Sequence, residues 1–339
     1  MLNFLNLKPE FFGLDISDKA VKIIKLAKKH GGFKLVSFNE EKIKPGILEK
    51  GIIKDEEALV KIIKKACETV KGEKLKTKYV AVSLPEEKSF VEVITMPSMK
   101  ESELKLAVPF EAENYVPLPI DQVYLDFQPI VPIEKGSNRI EILIVAMPKA
   151  TVDSYVSCVK KADLIPSVLQ VESQAITNAL TNNSMNDLHL VLIDVGESRT
   201  NLVVLCNRSI RFTCSFDVSF QKKNLKFSES ELSDLVGKIR KYLFFYQDHA
   251  SCDHVKETQK AKIILSGSMA GVKDFSQALS KELNLEVQLG NPWINVFSSF
   301  PKGNKFNFNK DSLSFTTAIG LSLCETENKN IVLKKSVKK

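Results

Sequence analysis

Two stretches about half a chain apart share one design, and that repetition limits the fold more than any other feature. "GLDISDKAVKIIKL" (Gly13 to Leu26) and "LIDVGESRTNLVVL" (Leu192 to Leu205) each run an apolar strand into an aspartate, Asp15 or Asp194. An apolar residue, a small residue (Ser17, Gly196), a polar turn and an apolar return strand follow in both. Each opens a βββα-like segment, as a duplicated two-lobed domain would. Taken alone, either stretch reads as a hairpin whose Asp stabilises the turn, because short motifs match often by chance. In corresponding positions they read better as two jaws of a cleft. Consecutive turn N–H groups can converge on an anion. An Asp at the strand end can hold Mg²⁺ through water, since magnesium dehydrates reluctantly. Two such turns would grip a triphosphate from both sides.

The rest of the chain fits that plan. With 339 residues it has room for two cores, and alternating apolar runs and amphipathic segments predict α/β construction. A first lobe is expected over 1–84, completed by about 166–188 and 312–326. It holds the strands "FFGLDI", "AVKIIKLA", "FKLVSFN" and "YVAVSLP". Its helix is capped by Asp55, with Leu59, Ile62, Ile63, Ala66 and Val70 on one face. An α+β insert is expected over 85–165, with a short helix in "ESELKLAVPFEAENYV" bounded by Pro109 and Pro117. Its strands "VYLDFQPIVP" and "IEILIVAMP" pair around "KGSN". The second lobe spans 189–223, completed by about 261–311, with a hairpin turning at Asn207-Arg208. A helical subdomain follows over 224–260, opened by a capping box of Ser228 with Glu231. A basic tail, 327–339, ends the chain.

Composition removes several functional classes. The net charge of +7, 48 Lys+Arg against 41 Asp+Glu, is a mild excess and argues for neither nucleic acid nor lipid. The six cysteines have no paired spacing, which predicts a reducing cytoplasm rather than a disulfide scaffold. No apolar run reaches the roughly 18 residues of a membrane span, and the N-terminus does not read as a signal peptide. His249, Cys252 and His254 lack a second ligand pair and read as a solvated loop, not a metal site. "FQKKNLKF" and "PKGNKFNFNK" read as loops outside any nucleic-acid-binding fold. "KKSVKK" reads as a solvated tail, and "LNFLNL" as a segment packed beside the first strand.

With both turns placed, the chain resembles the actin, Hsp70 and sugar-kinase superfamily. Within it the chain looks most like the PilM family of type IV pilus assembly, and more distantly like FtsA. The stretch "AVPFEAENYVPLPIDQVYLDFQ" (Ala107 to Gln128) resembles the PilM insert. "VLQVESQAITNAL" and "FTTAIGLSL" resemble two connecting helices, "IILSGSMAGVKDFSQAL" the adenosine-side turn, and "NPW" the family's ending. The resemblance implies ATP with Mg²⁺ between two lobes and a scaffold role at the inner membrane, reached only through partners. It implies a PilN-like partner whose N-terminal cytoplasmic peptide docks between first lobe and insert, beside other pilus assembly-platform proteins. Carried over by position, Asp15 and Asp194 stand near metal and phosphates. Ser17, Asp18 and Lys19 line the first loop, and Gly196, Glu197, Ser198 and Arg199 the second. Glu172 is the water- or metal-orienting carboxylate. Lys238 and Lys241 of the long helix face the ribose side, and Gly267, Ser268 and Gly271 pass close to the adenosine.

Three positions depart from the family pattern. Ser17 replaces a glycine, which would hinder a backbone needing φ > 0. Gly267-Ser268 replaces Gly-Gly, and Lys238 replaces a glutamate. They predict slow or absent hydrolysis and leave open a nucleotide-free pseudo-ATPase scaffold. A phosphotransferase of the same superfamily is the other alternative, although no Asp of the insert sits in a kinase motif.

Overall fold

The structure is a computed structural model that describes residues 10–29, 32–130, 138–185, 189–218, 227–249, 262–297, 306–308 and 311–324. "LNFLNL", most of "KGSN", of "FQKKNLKF" and of "PKGNKFNFNK", Cys252 and His254, the side chain of His249, and the basic tail lie outside these residues.

The first sheet opens with β1 (Phe12–Ile16), β2 (Ala20–Lys29) and β3 (Gly32–Lys42), an antiparallel meander whose buried side chains are mostly apolar, with Asp15, Lys25, Ser37 and Asn39 buried among them. A small hairpin, β4 (Leu48–Glu49) and β5 (Ile52–Ile53), leads to α1 (Glu56–Glu68). Asp55 caps α1 by accepting the Ala58 N–H, as its position before the apolar face predicts. Next come β6 (Lys71–Gly72) and β7 (Tyr79–Leu84), the latter parallel to β1.

The inserted segment supplies β8 (Phe90–Pro97), α2 (Glu101–Ala112), β9 (Val123–Ile130) and β10 (Arg139–Pro148). These strands form a separate antiparallel sheet in the order β8-β10-β9. Strand periodicity divides its faces. Ile94, Met96, Ile142, Ile144 and Ala146 pack under Leu104, Val108 and Ala112 of α2, while Val91, Leu143, Val145 and Met147 join the main core. Pro109 lies inside α2 and does not bound it. A proline deletes one helical N–H bond, but packing of the buried face onto the sheet carries the helix past it to Ala112. Helix α3 (Lys149–Lys161) then buries Val152, Tyr155 and Val159 in the main core.

β11 (Ile165–Val171) completes the first sheet, in the order β11-β7-β1-β2-β3-β6, and runs into α4 (Glu172–Leu180). The second half repeats the plan with β12 (His189–Val195), β13 (Arg199–Cys206) and β14 (Ser209–Asp217). Asn207 and Arg208 turn between β13 and β14 with φ of 52° and 61°. Helix α5 (Glu229–His249) starts from the capping box, with Glu231 accepting the Ser228 N–H and Ser228 the Glu231 N–H. β15 (Lys262–Ser266), α6 (Phe275–Leu283) and β16 (Val287–Leu289) follow, giving the sheet β14-β13-β12-β15-β16. Its order and its antiparallel-then-parallel pairing match β3-β2-β1-β7-β11 strand for strand. Finally α7 (Thr316–Leu323) packs on β1 and α4. A Cβ on Gly320 would lie 1.8 Å from the Ala175 carbonyl oxygen, so that crossing needs glycine.

Candidate functional site

Both aspartates stand at the ends of central strands, and each receives a hydroxyl from the parallel neighbour. Ser83 Oγ donates to Asp15 Oδ1 over 3.0 Å, and Ser266 Oγ donates to Asp194 Oδ1 over 2.6 Å. These serines stand at or next to the ends of the strands "YVAVSL" and "KIILS", 68 and 72 residues from their aspartates. The Ser shared near both strand ends is the signal in the sequence that reading strands singly passes over. Opposite the aspartates in β-register stand Lys22 and Asn201. The Lys22 ammonium donates to the Ser314 carbonyl over 2.6 Å, and its charge partly opposes the rise that burial imposes on the carboxyl groups of both Asp15 and Asp194. Asn201 Nδ2 donates to Glu172 Oε2 over 2.7 Å, joining the start of α4 to the second sheet.

The two turns are built alike. Ser17 N–H donates to the Ala20 carbonyl at 3.0 Å, and Gly196 N–H to the Arg199 carbonyl at 2.8 Å. The expected penalty at Ser17 does not arise. Neither Ser17 nor Gly196 has a positive φ, and the Ser17 hydroxyl donates to the Ala20 carbonyl at 3.0 Å. The adenosine-side turn is different. Gly267 has φ +93°, and a Cβ there would lie 2.4 Å from the Val195 carbonyl oxygen. Ser268 carries no such strain, so a single glycine suffices where the resemblance leads one to expect two.

Carboxyl groups outnumber cations at this junction. Burial raises Asp15, and burial pushes Asp194 up to about 6. Glu172 rises well above the usual carboxylate range through burial and the charges of Glu87 and Asp15. Burial also raises Glu86, whose Oε2 accepts the Ser173 N–H at the start of α4. A dication would relieve this arrangement, and hard carboxylate oxygens are the donors Mg²⁺ takes. Among the described residues no three His, Cys, Asp or Glu side chains converge as a metal-holding group.

Other predicted site residues have structural partners. Asp18 accepts the N–H groups of Lys50 and Gly51 and pairs with Arg199 at 3.6 Å. Arg199 also pairs with Glu87 and with Asp217. Lys19 and Ser198 line a cavity of about 470 Å³ between the turn tips, together with Lys50 and Asp217. Glu197 stands half-buried beside Gly196 in the second turn. Lys238 donates to the Asp217 carbonyl at 2.8 Å and so reaches the end of β14 beside the second turn. Lys241 is exposed with its ammonium over the Tyr242 ring, and no bond ties it to either turn among the described residues. Gly271 is exposed, in open space beside Leu313.

Two sheets of matching topology, each ending its central strand in a serine-bound aspartate, define a duplicated two-lobed actin-like fold. Solved structures agree. The chain matches the PilM–PilN type IV pilus biogenesis complex with a TM-score of 0.78 at 22% identity, over 94% of this chain and 99% of that one. It matches MreB5 of Spiroplasma citri bound to AMPPNP with a TM-score of 0.52 at 10% identity, over 93% and 96%. It matches the ethanolamine utilization protein EutJ of Carboxydothermus hydrogenoformans with a TM-score of 0.51 at 14% identity, over 93% and 89%. A sequence profile of the type IV pilus assembly protein PilM family matches residues 13–218. The chain belongs to that family. Among the described residues no helix is long and apolar enough to cross a membrane.

Proposed function

We propose that this protein is a nucleotide-binding scaffold of type IV pilus assembly, holding ATP with Mg²⁺ between its two lobes. The observation that carries this reading is the doubled Asp–Ser pair, with the Lys22 charge acting on both Asp15 and Asp194. The turn N–H groups and Lys22 would take the phosphates, Asp15 and Asp194 the metal's water shell, and the turn at Gly267 and Ser268 the adenosine. Bound Mg²⁺ would supply charge neutralisation, the chemistry this carboxylate-rich junction needs. Burial raises the Glu172 carboxyl, and its Oε2 already accepts from Asn201, so the carboxylate that would orient water or metal is tied to a protein partner. The reading is therefore binding with slow or absent turnover. Membership in the PilM family also supports a PilN-like partner, its N-terminal peptide held between first lobe and insert, with other platform proteins nearby. The protein would then meet the inner membrane through that partner.

Calorimetry of Mg-ATP with wild type beside Asp194→Ala tests the cleft. Saturable binding that the substitution removes is expected, and no binding to either protein would overturn the nucleotide reading. Titration with the N-terminal peptide of the neighbouring PilN-like protein tests the partner separately, because a groove between first lobe and insert would not use Asp194.

A further inference from the structure

Helix α2 has two apolar faces and only one is covered. Leu104, Val108 and Ala112, spaced four apart, are buried on the insert sheet. On the opposite face Leu106 is 72% exposed and Phe110 74% exposed, the highest values among the exposed large apolar side chains of the described residues. Tyr115 and Leu118 continue the exposed apolar surface beyond the helix end. The sheet lies between α2 and the main core, so this outer face points away from both lobes and from the nucleotide cleft.

The charge around this stripe runs against that of the chain. Glu103 and Glu113 fall three residues before Leu106 and three after Phe110, on the same face, and both are exposed. Segment 101–121 carries five acidic residues against one lysine, in a chain whose net charge is +7. That lysine, Lys105, pairs with Glu101 on the helix flank at 2.9 Å. The outer face thus offers two large apolar knobs between two carboxylates, with no cation among them.

We propose that this face docks a cationic amphipathic segment of a second protein, distinct from any peptide held between first lobe and insert. Its apolar side chains pack on Leu106 and Phe110, and its Lys or Arg residues meet Glu103 and Glu113. Charge decides against the other occupants. Two copies of this face brought together would oppose their own glutamates. An anionic membrane surface would repel the same carboxylates.

The test uses the full chain and a labelled amphipathic leucine–lysine helical peptide, read by fluorescence anisotropy. Saturable binding is expected, with Leu106→Ser/Phe110→Ser raising Kd about tenfold or more, as loss of apolar anchors does. Glu103→Gln/Glu113→Gln keeps the helix cap and should raise Kd while flattening its salt dependence. All these side chains are exposed, so the variants should melt with wild type. Equal affinity of either variant and wild type, or equal binding of a scrambled leucine–lysine peptide, would overturn the proposal. So would light scattering that shows a wild-type dimer turned monomeric by Leu106→Ser/Phe110→Ser. Vesicle sedimentation that depends on those two residues would overturn it as well.

Discussion

Asp194 shows what desolvating a single half-buried carboxyl costs this protein. Burial lifts its pKa to about 6, so the folded state binds a proton more tightly than the unfolded chain does. That contribution to stability is present in acid and is lost as pH rises from about 4 through about 6. Asp194→Asn keeps an acceptor for the Ser266 hydroxyl and removes the titration. Urea unfolding without nucleotide should therefore find the variant about 1–3 kcal/mol more stable than wild type at pH 7.5. The gap should shrink towards zero near pH 4, whereas a constant gap would mean that Asp194 does not titrate between the two states. The residue scale is also where the sequence misleads. Ser17 looks like a defect only if its turn is assumed to need a positive φ. Ser83, Ser266 and Lys22 stay hidden because their roles depend on which strands become neighbours, not on local spacing.

Elements were far easier to read. Each return strand, the Asp55 cap, the Asn207-Arg208 turn and the Ser228 box follow from local chemistry that tertiary packing does not overrule. Pro109 is the exception, since a helix with a deeply buried face can absorb the loss of one hydrogen bond. Pairing between distant elements was not legible, and the clearest case is Glu141 of β10 with Arg211 of β14. Their side chains are 2% and 8% exposed, and the pair fastens the insert sheet to the second lobe. Removing one partner leaves a buried charge, while replacing both with apolar residues need cost little. Glu141→Leu should lower unfolding free energy by about 3–5 kcal/mol, and Glu141→Leu/Arg211→Met should recover most of that loss. Urea titrations of the three proteins decide it. Equal losses in the single and double variants would show that packing, not charge, holds the joint.

At the scale of the whole molecule, three units meet at Arg199. Its guanidinium faces Asp18 of the first turn, Glu87 at the start of the insert, and Asp217 of its own sheet. Asp18 in turn holds the Lys50 and Gly51 amides, and Lys50 reaches back to Asp217 at 2.9 Å. The mouth of the interlobe cleft is thus closed by a ring of charges and not by apolar packing. Such a ring can open without exposing a core, as a cleft that admits a ligand requires. Burial raises the Glu87 carboxyl and the Arg199 charge opposes that rise. Arg199→Gln should therefore leave Glu87 readily protonated and Asp18 without its cross-cleft partner. Hydrogen exchange is expected to quicken at Lys50 and Gly51 and around Glu87, while the amides of β2 and β12 stay as protected as in wild type. Faster exchange throughout both sheets would mean that Arg199 supports global stability. Unchanged exchange at Lys50 and Gly51 would mean that the ring does not hold the lobes together. The two turns carry the repeat, but the side chain that joins them belongs to one copy only: Ala20 occupies the position in the first turn that Arg199 takes in the second. Duplication explains the cleft, and this asymmetry locates the contact on which its closure depends.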